Sequence, residues 1–388
     1  MELKLNINKK GIVLALHHRP DADCFFSAAF LHLIGGIKIT GYWFITTGDE
    51  PMPPQIVGKN IVFVDRGRRD FDHHSYNESK TTSTQKVTQW LGIEKEKWVQ
   101  PILKYVHRCD LRGQSQPFDI NDFGKALARN EKLSDEERII LGMKMAEAII
   151  IFHKEGLERD NEFARKILLE FLKTKRKIPP RWQRYLQQLK NSRFERVCDF
   201  VEIVCGQRKL TNERETMIFA LNILTHLYLD FERYQKAKVQ FLSAKKIQIK
   251  TKTFGETFIV AEYSENPKFA VVAREAGALV VIQKQKTEHT QIFFDFRRIR
   301  RSEITDNIVA ALRLSEMIKR NIPFAGERNK KYLTQLGVIP EVPQWYYFAG
   351  ETGNTIILNG SLTAPERPPT KLSLEEIVAI VKLALKDH

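Results

Sequence analysis

The sequence predicts an α/β protein, with a parallel-sheet domain first, a helical middle region next and a smaller C-terminal α/β domain last. Three observations carry that expectation. Residues 11–16 and 61–64 are short, continuous apolar runs, each ending in a histidine or a carboxylate. Strands buried on both faces of a parallel sheet read this way. Apolar residues then recur at helical spacing from Ser134 to about Leu242. Near Lys245 the composition shifts to alternating apolar and polar residues, the period of half-buried strands. The expected boundaries are 1–130 for the parallel-sheet domain, 131–243 for the helical connecting region and 244–388 for the C-terminal α/β domain.

In chain order, the run Gly11-Ile12-Val13-Leu14-Ala15-Leu16 leads into His17, Asp21 and Asp23. The segment from Phe25 to Ile34 is apolar nearly all round and is stopped by Gly35 and Gly36, which predicts a buried helix with a glycine C-cap. Residues 37–46 predict a second strand and 49–54 a surface turn. The run Ile61-Val62-Phe63-Val64 ends directly in Asp65. Ser83 or Thr84 starts a helix through Trp90, and further helices are expected over 95–105 and 119–129. Ser134 followed by Asp135, Glu136 and Glu137 is an N-cap with acids in the first turn. Pro179-Pro180 interrupts the helical stretch. Between Lys173 and Arg196, basic residues interleave with Trp182, Tyr185 and Phe194. That mixture suits a single nucleic-acid strand, through phosphate neutralisation and base stacking. An amphipathic helix with its aromatics in the core reads the same.

The last region predicts a hairpin over 247–253 and 257–263, a short helix over 269–276, and strands over 279–282 and 291–296. A helix over 306–320, strands over 345–348 and 356–358, and a terminal helix over 374–386 follow. Arg297 and Arg298, just after a strand, are candidate phosphate contacts, and Asn359, Gly360 and Ser361, at a strand end, are candidate substrate contacts. Solvated or ordinary turns are the competing readings of both.

The chemistry concentrates in the first fifth of the chain. His17, Asp21 and Asp23 fall in a strand-to-helix turn at the carboxyl end of a strand, where open α/β sheets bind ligands. Asp65 ends the next apolar run, and Asp72-His73-His74 follows closely. Carboxylate with imidazole suits divalent ions, Mn²⁺ first and Mg²⁺ as alternative. A two-metal site clamps the attacking and leaving oxygens of a phosphoryl group, with the ions roughly 3.5–4 Å apart. It needs a bridging ligand, separate ligands for each ion and an outer histidine. His17, Asp21, Asp23, Asp65 and His73 fill that list, and His74 is left for the outer role. Taken alone, the first cluster also reads as a polar turn in which Asp23 caps a helix.

These residues resemble the DHH phosphoesterases, among them RecJ-type exonucleases and oligoribonucleases. The stretch His17-His18-Arg19-Pro20-Asp21-Ala22-Asp23 fits that family's first motif, His-x-x-Pro-Asp-x-Asp. Asp65 matches its strand-terminal Asp, Asp72-His73-His74 its Asp-His-His, and Asp110 is the best match to a later Asp. The short gap from Asp65 to Asp72, with Arg66 and Gly67 in the turn, looks like the melanocyte-proliferating-gene exonuclease branch. The resemblance covers about residues 11–110. It implies that His17 and Asp21 bind one metal, that Asp23, His73 and Asp110 bind the other, and that Asp65 bridges them. It further implies that His74 faces the scissile phosphate and that Asp72 orients the histidine pair. The partner domain of such enzymes carries a Gly-Gly-x-His-type loop, and the nearest feature here is the stretch 350–361.

The chain has 388 residues and a net charge of +15, from 62 basic and 47 acidic residues. Such an excess attracts polyanions. No run of about 18 apolar residues predicts a membrane span, and the N-terminal residues show no signal-peptide core. Four cysteines without a Cys-x-x-Cys pair argue against a disulfide framework or zinc ribbon. The expectation is a cytoplasmic, metal-dependent phosphodiesterase acting on short or single-stranded nucleic acid, as an exonuclease. One alternative is hydrolysis of a small phosphate compound, such as a nucleoside bisphosphate, a cyclic dinucleotide or pyrophosphate. Another is a nucleic-acid-binding scaffold without catalysis.

Overall fold

The computed structural model describes residues 11–46, 51–67, 69–73, 81–175, 177–191, 196–323, 330–349, 355–360 and 367–386. The chain is an α/β protein divided into two compact units, Met1–Phe231 and Glu232–His388.

The first unit begins with strand β1 (Ile12–His17), helix α1 (Ala22–Ala29), strand β2 (Ile39–Ile45) and strand β3 (Ile61–Phe63). The three strands form a parallel sheet in the order β2-β1-β3. Ile12 to Leu16 are all fully buried, as their unbroken apolar run requires. Ala15 pairs with Phe63, so His17 and Asp65, each two residues further on, leave the same edge of the sheet side by side. Beyond β3 the chain turns within three residues. Asp65 adopts φ 59° and Gly67 φ 96°, and a Cβ on Gly67 would lie 2.2 Å from the Phe63 ring, so glycine alone fits that corner.

Helices complete the unit: α2 (Ser83–Trp90), α3 (Gln100–Asp110), α4 (Ile120–Ala128), α5 (Asp135–Lys154), α6 (Asn161–Lys173), α7 (Pro180–Lys190), α8 (Phe200–Leu210) and α9 (Glu213–Ser243). The expected connecting region is not a body of its own, since the division between units falls inside α9. The helices of 131–231 share one apolar core with the sheet, in which Phe25 and Phe30 of the α1 segment join Ile149, Ile167, Trp182 and Leu224. The cause is close helix contact: Gly142 on α5 presses against the Phe25 ring, where a Cβ would lie 2.2 Å away. The helix expected over 95–105 starts five residues later, with Pro101 in its first turn, a favoured place for proline. Asp110 therefore sits on the helix itself.

The aromatics of the basic segment 173–196 face the core. Trp182 and Tyr185 are 0% and 1% exposed, and Tyr185 stacks on Phe118 at 4.3 Å. Stacking on a nucleic-acid base is closed to both, and Phe194 lies outside the described residues.

The second unit is a seven-stranded sheet in the order β4-β5-β6-β7-β10-β9-β8. Its strands are β4 (Lys246–Thr251), β5 (Gly255–Tyr263), β6 (Val280–Lys284), β7 (Thr290–Phe294), β8 (Gly337–Ile339), β9 (Val342–Ala349) and β10 (Thr355–Asn359). Only β5 and β6 pair in parallel. Helices α10 (Phe269–Glu275), α11 (Glu303–Lys319), α12 (Lys330–Leu333) and α13 (Leu374–Lys386) accompany the sheet. Apolar residues of α11 and α13 form one core with β6, β7, β9 and β10, and α10 forms another with the end of α9.

Three of the candidate substrate contacts in this unit have partners within it, and Arg297 and Arg298 stay exposed. Arg297 and Arg298 both pair with the buried Asp295, at 3.0 and 2.9 Å, and Arg298 also donates to the Thr257 hydroxyl and the Gly277 carbonyl. Asn359 is fully buried. Its amide donates to the Gln344 and Pro368 carbonyls and accepts from the Thr370 N–H. Gly360 is buried beside it. Ser361 lies outside the described residues, as do the stretches 350–354 and 361–366.

Candidate metal centre

Burial at the carboxyl edge of the three-stranded sheet brings five of the expected ligands together, with Asp110 joining from α3. His17 ends β1, and its Nδ1 lies 2.7 Å from the His18 carbonyl. A carbonyl can only accept, so Nδ1 carries the proton and Nε2 is left for the site. Nε2 lies 3.2 Å from Asp65 Oδ2 and 3.9 Å from Asp21 Oδ2. Asp21 caps α1 through its other oxygen, which accepts the Asp23 N–H at 3.0 Å.

His73 occupies the other side of Asp65. Its Nδ1 lies 3.2 Å from Asp65 Oδ1 and 3.6 Å from Asp23 Oδ2, and its Nε2 lies 3.2 Å from Asp110 Oδ2. The Asp65 carboxylate thus stands between the two imidazoles, one oxygen toward each. Two residues beyond a buried strand and turned sharply by its left-handed backbone, Asp65 is well placed for this. Asp tolerates that conformation better than most side chains.

Asp23 is held by the start of α2. Its two oxygens accept the Ser83 and Thr84 N–H groups, each at 2.8 Å, and the Thr84 hydroxyl at 2.6 Å. The helix start favours a negative charge there. Asp110 is placed against the helix dipole instead, at the carboxyl end of α3. Its Oδ2 is buried and faces His73 Nε2. Ligand atoms of His17, Asp21, Cys24 and Asp65 lie within 4.8 Å of one another, as do those of Asp23, His73 and Asp110, and those of Asp65, Asp72 and His73. Asp72, expected to orient the histidines, therefore lies within ligand reach itself. His74 lies outside the described residues.

The electrostatics suit cations. Asp23, Asp65 and Asp72 are 1%, 2% and 5% exposed, and burying that much negative charge is costly without a counter-charge. Burial pushes Asp23 well above the carboxylate range, helped by the charges of Asp65 and Asp110. Burial alone would lower the two histidines. The hydrogen bond and charges of Asp65 and Asp21 outweigh it and raise His17 to about 9. At His73 the contact with Asp110 and the charges of Asp65 and Asp23 do the same, also to about 9. The cluster draws protons for the reason it would draw divalent cations, and its oxygen–imidazole donor set fits ions of the Mn²⁺ or Mg²⁺ class. Cys24 lies 3.6 Å from Asp65 Oδ2, but burial raises its thiol far above neutrality.

Three supporting groups escaped the sequence reading. The Ser83 and Thr84 amides hold Asp23, although those residues were legible as a helix start. Arg66 follows Asp65 directly, and its charge acts on His17; its Nε is buried without a hydrogen-bond partner. Asp135 braces the turn after β1 from 117 residues away, accepting from His18 Nδ1 at 2.8 Å and from the Arg19 N–H at 2.9 Å. Nothing local marks that contact, because Asp135 also reads as an ordinary first-turn acid.

Burial opposes ionisation of Asp135, but hydrogen bonds from His18, Arg19 and Arg138 prevail and hold it at about 2, below the ordinary 3.8. A depressed carboxyl contributes stability above its unfolded pKa and loses it as pH falls through the folded one. Asp135→Asn is therefore expected to cost about 1–2 kcal/mol at neutral pH. In urea unfolding, the gap from wild type closes as pH falls through about 4 toward about 2. A gap that is the same at both ends contradicts this role.

No family model matches the chain, and no curated protein matches it. Among solved structures, RecJ of Thermus thermophilus, in complex with Mn²⁺, is similar at 11% identity and a TM-score of 0.40. The likeness covers 96% of this chain and 51% of that one, so the chain spans about half the length of that protein. An uncharacterized protein from Helicobacter pylori G27 is similar at 11% identity and a TM-score of 0.22, over 97% of this chain and 100% of that one. Among the described residues, no helix is long and apolar enough to cross a membrane.

Proposed function

We propose that this chain is a DHH-type phosphoesterase, dependent on divalent metal, that hydrolyses phosphodiesters of short or single-stranded nucleic acid as an exonuclease. The observation that carries the reading is the Asp65 carboxylate, with its two oxygens each 3.2 Å from a different histidine. In this reading His17 and Asp21 hold one ion, Asp23, His73 and Asp110 hold the other, and Asp65 serves both. Bound there, a pair of divalent ions supplies a more acidic water and a clamp on the phosphoryl oxygens. The chain does the rest. The α2 amides and Thr84 fix Asp23, the His18 carbonyl fixes the tautomer of His17, and Asp135 fixes the turn that carries them. His74, next in the chain to His73, is assigned to the scissile phosphate, and Arg66 to charge developing on it.

Product analysis with labelled strands of two and twenty nucleotides tests the reading, in Mn²⁺, Mg²⁺ or EDTA. The expected result is stepwise release of mononucleotides from the long strand, lost in EDTA and restored by Mn²⁺. Cleavage of the dinucleotide alone would favour a small-substrate phosphohydrolase. No product with metal bound would favour a binding scaffold. Arg66→Ala is expected to lower kcat by about 10²-fold, the scale of one lost donor to a developing charge, with metal stoichiometry unchanged. An unchanged kcat would remove Arg66 from the site.

A further inference from the structure

A groove of about 1110 Å³ lies along α3 in the first unit. Five cations line it, Lys95, Lys97, Lys104, Arg108 and Arg112, together with His107. Glu94 is the one carboxylate of the lining, and its Oε1 already accepts from the amides of Gln85 and Gln89 at 2.8 and 2.9 Å. None of the five cations is held in an ion pair among the described residues. Arg108 lies over the Tyr105 ring at 5.3 Å, and its Nε is buried without a hydrogen-bond partner. Five positive charges of this kind repel one another, and Glu94 offsets one of them, which leaves the described lining strongly positive.

Arg108 and Arg112 of the lining flank Asp110 in the chain, and Gln85 of the lining follows the Ser83 and Thr84 amides that hold Asp23. The groove's lining comes mainly from α3, from Gln85 on α2 and from the segment between the two helices, and His107 Nε2 joins the helices through Gln85 Oε1 at 3.0 Å. Its volume exceeds the roughly 300–1,000 Å³ of a small-ligand pocket. Tyr105, its one aromatic, is 1% exposed and offers no face to a base. The lining is therefore made for a chain of phosphates.

We infer that this groove is the track for the sugar–phosphate backbone of a single nucleic-acid strand whose end reaches the Asp65 centre. The inference rests on the phosphodiesterase reading and adds the path of the substrate. Contact is through phosphates, so affinity falls steeply with salt. Each neutralised phosphate contributes about 0.7 to the slope of log K against log salt on a single strand.

The test is binding of a labelled single strand of twenty nucleotides to the full chain in EDTA, without turnover, across a salt series. The charge reversal Lys97→Glu, Lys104→Glu and Arg112→Glu is compared with the same three positions changed to Gln. The control is the same charge change at exposed lysines elsewhere in the unit, Lys38→Glu, Lys59→Glu and Lys154→Glu. The groove reversal is expected to weaken binding at least about tenfold and to flatten the slope by about 2, three phosphates' worth. The glutamine set should give the same change of slope, and the control should leave the slope as in wild type. Equal losses in groove and control sets would overturn the track, and so would a wild type that does not bind the strand. Metal-dependent hydrolysis of either labelled strand, two or twenty nucleotides long, by wild type, measured in parallel, separates the two readings. Its absence removes the phosphodiesterase, whereas its presence without a groove effect removes only the track.

Discussion

Asp65→Asn is expected to abolish metal-dependent hydrolysis, by about 10³-fold or more in kcat, some 4 kcal/mol of transition-state stabilisation. The substitution keeps shape and removes charge. Asn tolerates the left-handed backbone at φ 59° as Asp does, so the turn after β3 is retained. What is lost is the carboxylate that stands 3.2 Å from both His17 and His73. A residue placed for function at the expense of burial should also release strain when neutralised. The unfolding midpoint of the variant in EDTA is therefore expected to equal or exceed that of wild type, while activity in Mn²⁺ disappears. A variant that keeps activity within about tenfold, or one that loses activity only because it unfolds, contradicts the role given to Asp65.

Arg159→Met is expected to cost about 3–5 kcal/mol of stability, the scale of breaking one side of a buried ion pair. Arg159 lies 3.2 Å from Asp199 and 2.6 Å from Glu202, and those carboxylates are 0% and 2% exposed. Burial raises Asp199 to about 6 even with the guanidinium opposed to it. Without Arg159, two buried negative charges would face each other. The consequence reaches beyond α8. Asp199 caps that helix and bridges to Asp119, the cap of α4, so the pair ties the helical half of the unit to the part that carries Asp110. Urea unfolding at neutral pH measures the loss, and Asp199→Asn in the Arg159→Met background should restore part of it. A loss under about 1 kcal/mol would show the pair to be solvated.

The elements that the sequence made legible are those with a local signature. β1 and β3 read as unbroken apolar runs, the capping box of α5 as Ser134 and Glu137, and α13 as an uninterrupted amphipathic stretch. The site motifs were legible for the same reason, because His17, Asp21, Asp23, Asp65 and Asp72 each leave a strand or turn at short spacing. What stayed hidden depends on tertiary contact. The 131–243 helices looked like a separate region, since nothing in their periodicity tells that Gly142 meets Phe25. Trp182 and Tyr185 looked available to a base, yet an amphipathic helix hides its aromatics as readily as it shows them. Arg297, Arg298 and Asn359 read as candidate substrate contacts because they are polar residues at strand ends, and nothing local told that Asp295 pairs with the two arginines or that the Gln344 and Pro368 carbonyls accept from Asn359. Conversely, the basic groove is built from residues dispersed between 95 and 112 that carry no motif.

Mn²⁺ titration of the metal-free chain with electron paramagnetic resonance tests most directly whether Asp65 serves two ion positions at once. Wild type is expected to bind two ions per chain with an exchange-coupled signal, since ions sharing a carboxylate sit roughly 3.5–4 Å apart. Asp65→Asn is expected to lose the coupling along with at least one ion. Two uncoupled ions in wild type, or a coupled pair that survives the substitution, would contradict that role.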